Sequence, residues 1–199
     1  MKESDIKHYF KESSAVIESV TKSIAVINRM AWGIYESQLD GGKLLIAGNG
    51  GSCAQAEHFA GEMRCTFADS TRRAFSAISL VSASAITAWS NDFGFDGYFT
   101  RQVEAFGQPE DVLFLISTGG GEKGVSMNLV DAGEKALEMG LKLYSIVGKS
   151  GGELAKISHE CIIVPSYMTS HIQEAHIAII HAICEYLDNY SRRKTDEPN

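Results

Sequence analysis

The chain has no excess of positive charge, no paired cysteine motif and no long apolar run, and each absence narrows what it can do. Its 199 residues hold 18 Lys and Arg against 25 Asp and Glu, a formal charge of -7. A general nucleic-acid surface needs clustered basic side chains to neutralise phosphates, and the one short cluster, Arg192, Arg193 and Lys194, sits in a polar tail. The cysteines Cys53, Cys65, Cys161 and Cys184 form no CxxC pair and no repeating spacing, a pattern that reads as reduced thiols in a cytosolic protein. The apolar runs are far too short to span a bilayer. The charged start, MKESDIKHYFKESS, lacks the apolar core of a signal peptide. These features predict a cytoplasmic protein that binds neither nucleic acid nor membrane. Hydrophobic content of 44% and charged content of 22% are those of a soluble globular chain, and the length fits one large domain.

No glycine occurs before Gly33. Apolar residues from Ile6 to Tyr35 recur at helical spacing, which predicts one long helix or two consecutive ones over 4–38. Such an N-terminal helical segment (1–40) packs on its own domain or on another subunit. Strands are predicted over 43–48, 74–80, 111–117, 142–148 and 160–165. Helices are predicted over 52–64, 82–92, 98–107, 125–140 and 151–158, with a last helix over 171–190. Short, continuously apolar strands alternating with helices predict an α/β fold, a doubly wound five-stranded parallel sheet with helices on both faces. One domain would cover 1–190, and SRRKTDEPN (191–199) would be a disordered tail.

Four constellations carry chemistry. The turn GNGGS, Gly48 to Ser52, follows the first strand and precedes a helix. Glycines there let backbone N–H groups approach an anion at a helix N-terminus, although Ser52 as a plain N-cap would produce the same pattern. It lacks the Lys of a Walker loop and the spacing of a dinucleotide fingerprint. A second turn, STGGG from Ser117 to Gly121, repeats the device after the third strand. Together the two turns suggest a pocket for a phosphorylated or polyhydroxylated small molecule. His58 and Glu62 stand four apart on one helix face, as a surface hydrogen bond or as part of a site. On the last helix Gln173 and His181 share a face, with His176 between them. Either these groups find partners in helix packing, or His58, Glu62, Gln173 and His181 converge on a metal or a substrate.

Five segments together resemble the phosphoheptose (sedoheptulose 7-phosphate) isomerases of the sugar isomerase (SIS) family. They are GNGGSxxxAxHFAxE (48–62), SNDFGFDGYFTRQVEAFG (90–107), DVLFLIST (111–118), LYSIVGKSGGELA (143–155) and IQEAHIAIIH (172–181). The resemblance implies a SIS fold and a homotetramer with N-terminal helices in a central bundle and active sites at subunit interfaces. It implies conversion of sedoheptulose 7-phosphate to an aldoheptose 7-phosphate, a precursor of lipopolysaccharide heptose. His58, Glu62, Gln173 and His181 would hold a divalent metal, usually Zn²⁺. Asn49, Gly50, Gly51, Ser52, Asn91, Asp92, Ser117 and Thr118 would hold the sugar phosphate, with Gly119, Glu122, Glu62 and Gln173 beside it. Glu62 would move the proton between C1 and C2, and His181 would serve the oxygens or ring opening.

The sequence departs from that family at three places. The usual STSGNS reads STGGGE over 117–122, which sets Glu122 where a serine contacts phosphate. A carboxylate there would repel the ligand by roughly 1–4 kcal/mol at about 4 Å. Cys65 and Thr66 stand where the family often has GR, and HIQE at His171 replaces RIQE. Related non-catalytic proteins that bind a replication initiator typically lack the acid at position 62 and the imidazole at 181. Both are present here, which favours an enzyme. The altered turn leaves room for another sugar phosphate.

Overall fold

The computed structural model describes residues 3–195. Among these, five strands form one sheet: β1 (Leu44–Gly48), β2 (Ala77–Ser79), β3 (Val112–Ser117), β4 (Lys142–Gly148) and β5 (Glu160–Val164). All neighbours are parallel, in the order β2-β1-β3-β4-β5. The helices are α1 (Glu3–Ser19), α2 (Ile24–Leu39), α3 (Gly51–Arg64), α4 (Ala83–Phe93), α5 (Tyr98–Phe106), α6 (Met127–Glu138), α7 (Leu154–Ile157) and α8 (Thr169–Thr195). This is the predicted doubly wound α/β fold.

Burial on both faces explains why the strands read as continuous apolar runs. Leu44 and Ile46 of β1 and Phe114 and Ile116 of β3 face one core, shared with α2, α3 and α8. Their neighbours Leu45, Ala47, Leu113 and Leu115 face the other, shared with α5, α6 and α7. The alternation is the two-residue period of a strand.

The N-terminal segment is two consecutive helices, because the backbone tightens into a 3₁₀ turn over Val20–Ser23. Ser19 Oγ donates to the Val16 carbonyl at 2.6 Å and Thr21 Oγ1 to the Glu18 carbonyl at 2.8 Å, and such bonds compete with the helical ladder. The second strand shrinks to Ala77–Ser79 at the sheet edge. The last helix does not stop at residue 190. It runs to Thr195, and Arg192 Nε binds Asp69 Oδ2 at 2.9 Å. The start of the expected disordered tail is therefore helix tied to the body of the domain, while 196–199 lie outside the described residues. The four cysteines are free thiols. No helix among the described residues is long and apolar enough to cross a membrane.

The strand order positions the site. The order in which strands are added reverses between β1 and β3, and in open α/β sheets ligands bind beyond the carboxyl ends of the strands at this switch point. Gly48, the last residue of β1, pairs with Ile116 of β3. The two glycine turns therefore leave the sheet side by side.

Candidate active site

The first turn uses its glycines for different reasons. Gly50 has φ +55°, which L side chains rarely adopt. Gly51 provides closeness, since a Cβ built there would stand 2.5 Å from Gln173 Nε2 of α8. Gly50 is the N-cap of α3, so Ser52 is not. Ser52 lies buried inside the first helical turn. Asn49 and Asn128 exchange amide hydrogen bonds, Nδ2 of Asn49 to Oδ1 of Asn128 at 2.9 Å and the reverse at 3.2 Å. This pair ties the first turn to the first residues of α6.

The second turn is organised by Ser117, whose Oγ accepts the Gly120 N–H at 2.9 Å. The loop then detours before α6. Glu122 begins a short 3₁₀ turn, Glu122–Gly124, and Ser126 enters α6 with φ 64° and makes no capping hydrogen bond through its side chain. Between the two turns lies a cavity of about 250 Å³. Its wall includes Asn49, Gly50, Gly51 and Ser52 of the first turn, Ser117 and Thr118 of the second, and Gln173. Ser126 and Thr169 complete the hydroxyl lining.

His58, Glu62 and His181 also come together. His58 Nε2 stands 3.0 Å from His181 Nε2 and 3.6 Å from Glu62 Oε1. The Phe67 ring lies 5.5 Å from the His181 ring. The donor set suits a divalent ion, since two imidazole nitrogens on one tetrahedral Zn²⁺ at about 2.0–2.1 Å stand about 3.3 Å apart. Yet among the described residues no group of three or more His, Cys, Asp or Glu has an arrangement that could hold a metal. The two rings meet as a hydrogen-bonded pair, and Gln173 is turned to Gly51. His176 is buried between them in sequence, with neither ring nitrogen hydrogen-bonded.

Of the residues expected around the phosphate, Asn91, Asp92, Gly119 and Glu122 do not line the cavity. Asn91 and Asp92 end α4 exposed, with Asn91 Nδ2 donating to Asp92 Oδ1 at 2.8 Å, and neither lines the cavity. Glu122 is absent from its wall too. The loop runs on past STGGGE and brings Ser126 to the cavity wall. The signal was present in SMN, 126–128: a hydroxyl residue immediately before a helical run, then the amide that pairs with Asn49. Lys149 was also missed. Its Nζ is the nearest atom to a Cβ built on Gly119, at 3.7 Å, so an ammonium flanks the second turn. The remaining departures lie off the cavity. Cys65 and Thr66 are exposed just beyond α3, and His171 is buried with its ring 4.7 Å from that of Tyr9.

The SIS domain family matches residues 8–148, and the chain belongs to it. Within that family its relatives are consistent. It is 42% identical over 188 residues to a probable phosphoheptose isomerase of Thermoplasma volcanium, covering 94% of this chain and 92% of that one. It is 39% identical to a phosphoheptose isomerase of Helicobacter pylori, covering 94% and 96%. The solved phosphoheptose isomerase of Neisseria gonorrhoeae superposes with a TM-score of 0.84 at 34% identity, covering 94% of this chain and 98% of that one. The chain is a SIS-domain protein of the phosphoheptose isomerase group.

Proposed function

We propose that the chain is an aldose–ketose isomerase that converts sedoheptulose 7-phosphate to D-glycero-D-manno-heptose 7-phosphate, a precursor of lipopolysaccharide heptose. The observation that carries this reading is that α3 opens at a cavity lined by glycine-turn backbone and hydroxyls and, further along, carries His58 and Glu62 to meet His181 of α8. The phosphate fits the cavity, where the N-terminus of α3 supplies partial positive charge and Ser52, Ser117, Thr118, Ser126 and Thr169 supply hydroxyls.

The sugar then extends toward α8. Glu62 removes a proton from C1 of the ketose, and the resulting enediol receives it back at C2. Meanwhile O1 gives up a proton and O2 gains one as the carbonyl moves from C2 to C1, and His181 is placed to carry that exchange. Zn²⁺ held by His58, Glu62, Gln173 and His181 would polarise the sugar carbonyl, and holding it would require the His58–His181 contact to open and Gln173 to turn from Gly51. Both Glu62 and His181 stand against a non-catalytic regulator.

A homotetramer in the cytoplasm is part of this proposal. The outer side of α1 and the following turns leaves Ile6, Phe10, Ile17 and Ile24 exposed, while Tyr9 and Ser13 donate to Glu174 of α8. One side of the segment is thus fastened to its own domain and the other offers apolar surface to further copies.

The test is to incubate the purified protein with sedoheptulose 7-phosphate, with and without Zn²⁺, and to follow aldoheptose phosphate by NMR. A folded tetramer that turns over nothing in either condition would overturn the reading.

A further inference from the structure

We infer that the buried Arg72–Asp188 pair positions the reacting groups, holding the end of α3 that carries Glu62 against the face of α8 that carries His181. This rests on the isomerase reading for its kinetic test but not for its structural one. The two side chains are each 2% exposed, and Arg72 Nε meets Asp188 Oδ1 at 2.6 Å. The rest of the guanidinium is aimed at the last turn of α3. Nη2 donates to the carbonyl of Glu62 at 2.6 Å, and Nη1 is shared between that of Met63 at 3.1 Å and that of Arg73 at 3.0 Å. Carbonyls at a helix C-terminus lack helical partners, and a cation there opposes the helix dipole favourably.

Asp188 is the other half of the clamp. It follows His181 by seven residues on α8, two turns along the same face. Its Oδ2 accepts the N–H groups of Ala68 and Asp69 at 2.9 and 2.8 Å. Those bonds fix the chain immediately after Phe67, whose ring packs on His181. One ion pair therefore ties down the main chain of Glu62, the ring that covers His181 and the helix that bears His181.

Stability alone is a poor reason for this arrangement. A buried ion pair often stabilises no better than apolar residues of similar size. Geometry is the better reason, because a displacement of about 1 Å at a catalytic group costs on the order of 100-fold in rate.

The test compares wild type with Arg72→Met/Asp188→Leu and with Arg72→Lys, each in the full-length protein. The apolar pair keeps the volume without the hydrogen bonds. The lysine keeps the charge but cannot reach Asp188 and both carbonyls together. For each, kcat and KM for sedoheptulose 7-phosphate are measured, with melting temperature and the imidazole resonances of His58 and His181. The expected result is kcat down at least tenfold, KM within about twofold, melting temperature held in at least one variant, and His181 resonances shifted as Phe67 and the His58 contact move. A folded variant with unchanged kcat and unmoved imidazole resonances would overturn the proposal. If wild type lacks isomerase activity, the resonances still decide: shifted signals uphold the clamp while the functional reading fails, and unmoved signals reject it.

Discussion

Gly51 and Gln173 occupy one volume from opposite sides. The missing side chain of Gly51 on α3 is the space that the Gln173 amide of α8 fills, with Nε2 2.5 Å and Oε1 2.9 Å from where a Cβ would stand. The backbone of Gly51 is not left-handed, so an alanine there meets no conformational strain. Its cost is local displacement of Gln173 from the cavity wall. Gly51→Ala should bind inorganic phosphate about tenfold more weakly, roughly 1.4 kcal/mol, with little change in melting temperature. Calorimetric titration measures the first and thermal unfolding the second.

Ser126, and not Glu122, lines the cavity beside Ser117 and Thr118. Ser126→Ala removes a hydrogen bond to a charged ligand, worth about 1.5–3 kcal/mol, and should raise KM by roughly ten- to a hundredfold. Glu122→Ser should leave KM within about twofold, since that side chain is not part of the cavity wall. A large improvement from Glu122→Ser would return the carboxylate to the phosphate.

Glu62→Gln keeps size but removes the carboxylate that the proposed mechanism uses as its base. Turnover should fall by about 10²–10⁴-fold, while phosphate affinity holds. Solvent deuterium incorporation into the sugar carbon, followed by NMR, reads the proton transfer directly. Full activity in this variant would take Glu62 out of the mechanism.

His176 should make stability depend on pH. Burial pushes its imidazole down to about 4. The main chain of Val147 opposes the shift slightly, although neither ring nitrogen meets hydrogen-bond geometry, and burial dominates. The folded value is below the unfolded value near 6.5, so between those values the unfolded chain takes up a proton that the native protein refuses. Stability is full above about pH 6.5 and declines toward pH 4, by about 3 kcal/mol. Urea unfolding at pH 7 and pH 5 should show the loss, and His176→Phe should flatten it. Asp69 acts in a lower window. Hydrogen bonds from Thr71 and Arg192 hold its carboxyl below the usual range, so its contribution fades only below about pH 3.9.

Much of this molecule was legible without coordinates, because its signals are local. Short, largely apolar runs such as LLIAG and VLFLIS, too brief for helices and set between helical patterns, read as strands buried on both faces, and the sheet followed. Glycine turns at strand ends marked the ligand edge, and His58 and Glu62 shared a helix face by spacing alone. What spacing could not set was the path of a loop. The chain from Thr118 to Ser126 passes through left-handed positions at Lys123 and Ser126, and no periodicity counts residues through such a detour. Ser126, four residues beyond Glu122, is therefore the side chain that lines the cavity. Nor could spacing pair residues distant in sequence. Asn49 with Asn128, Gly51 with Gln173 and Arg72 with Asp188 meet only because the parallel sheet brings α3, α6 and α8 within reach of one another, and tertiary packing alone decides which side chains then touch.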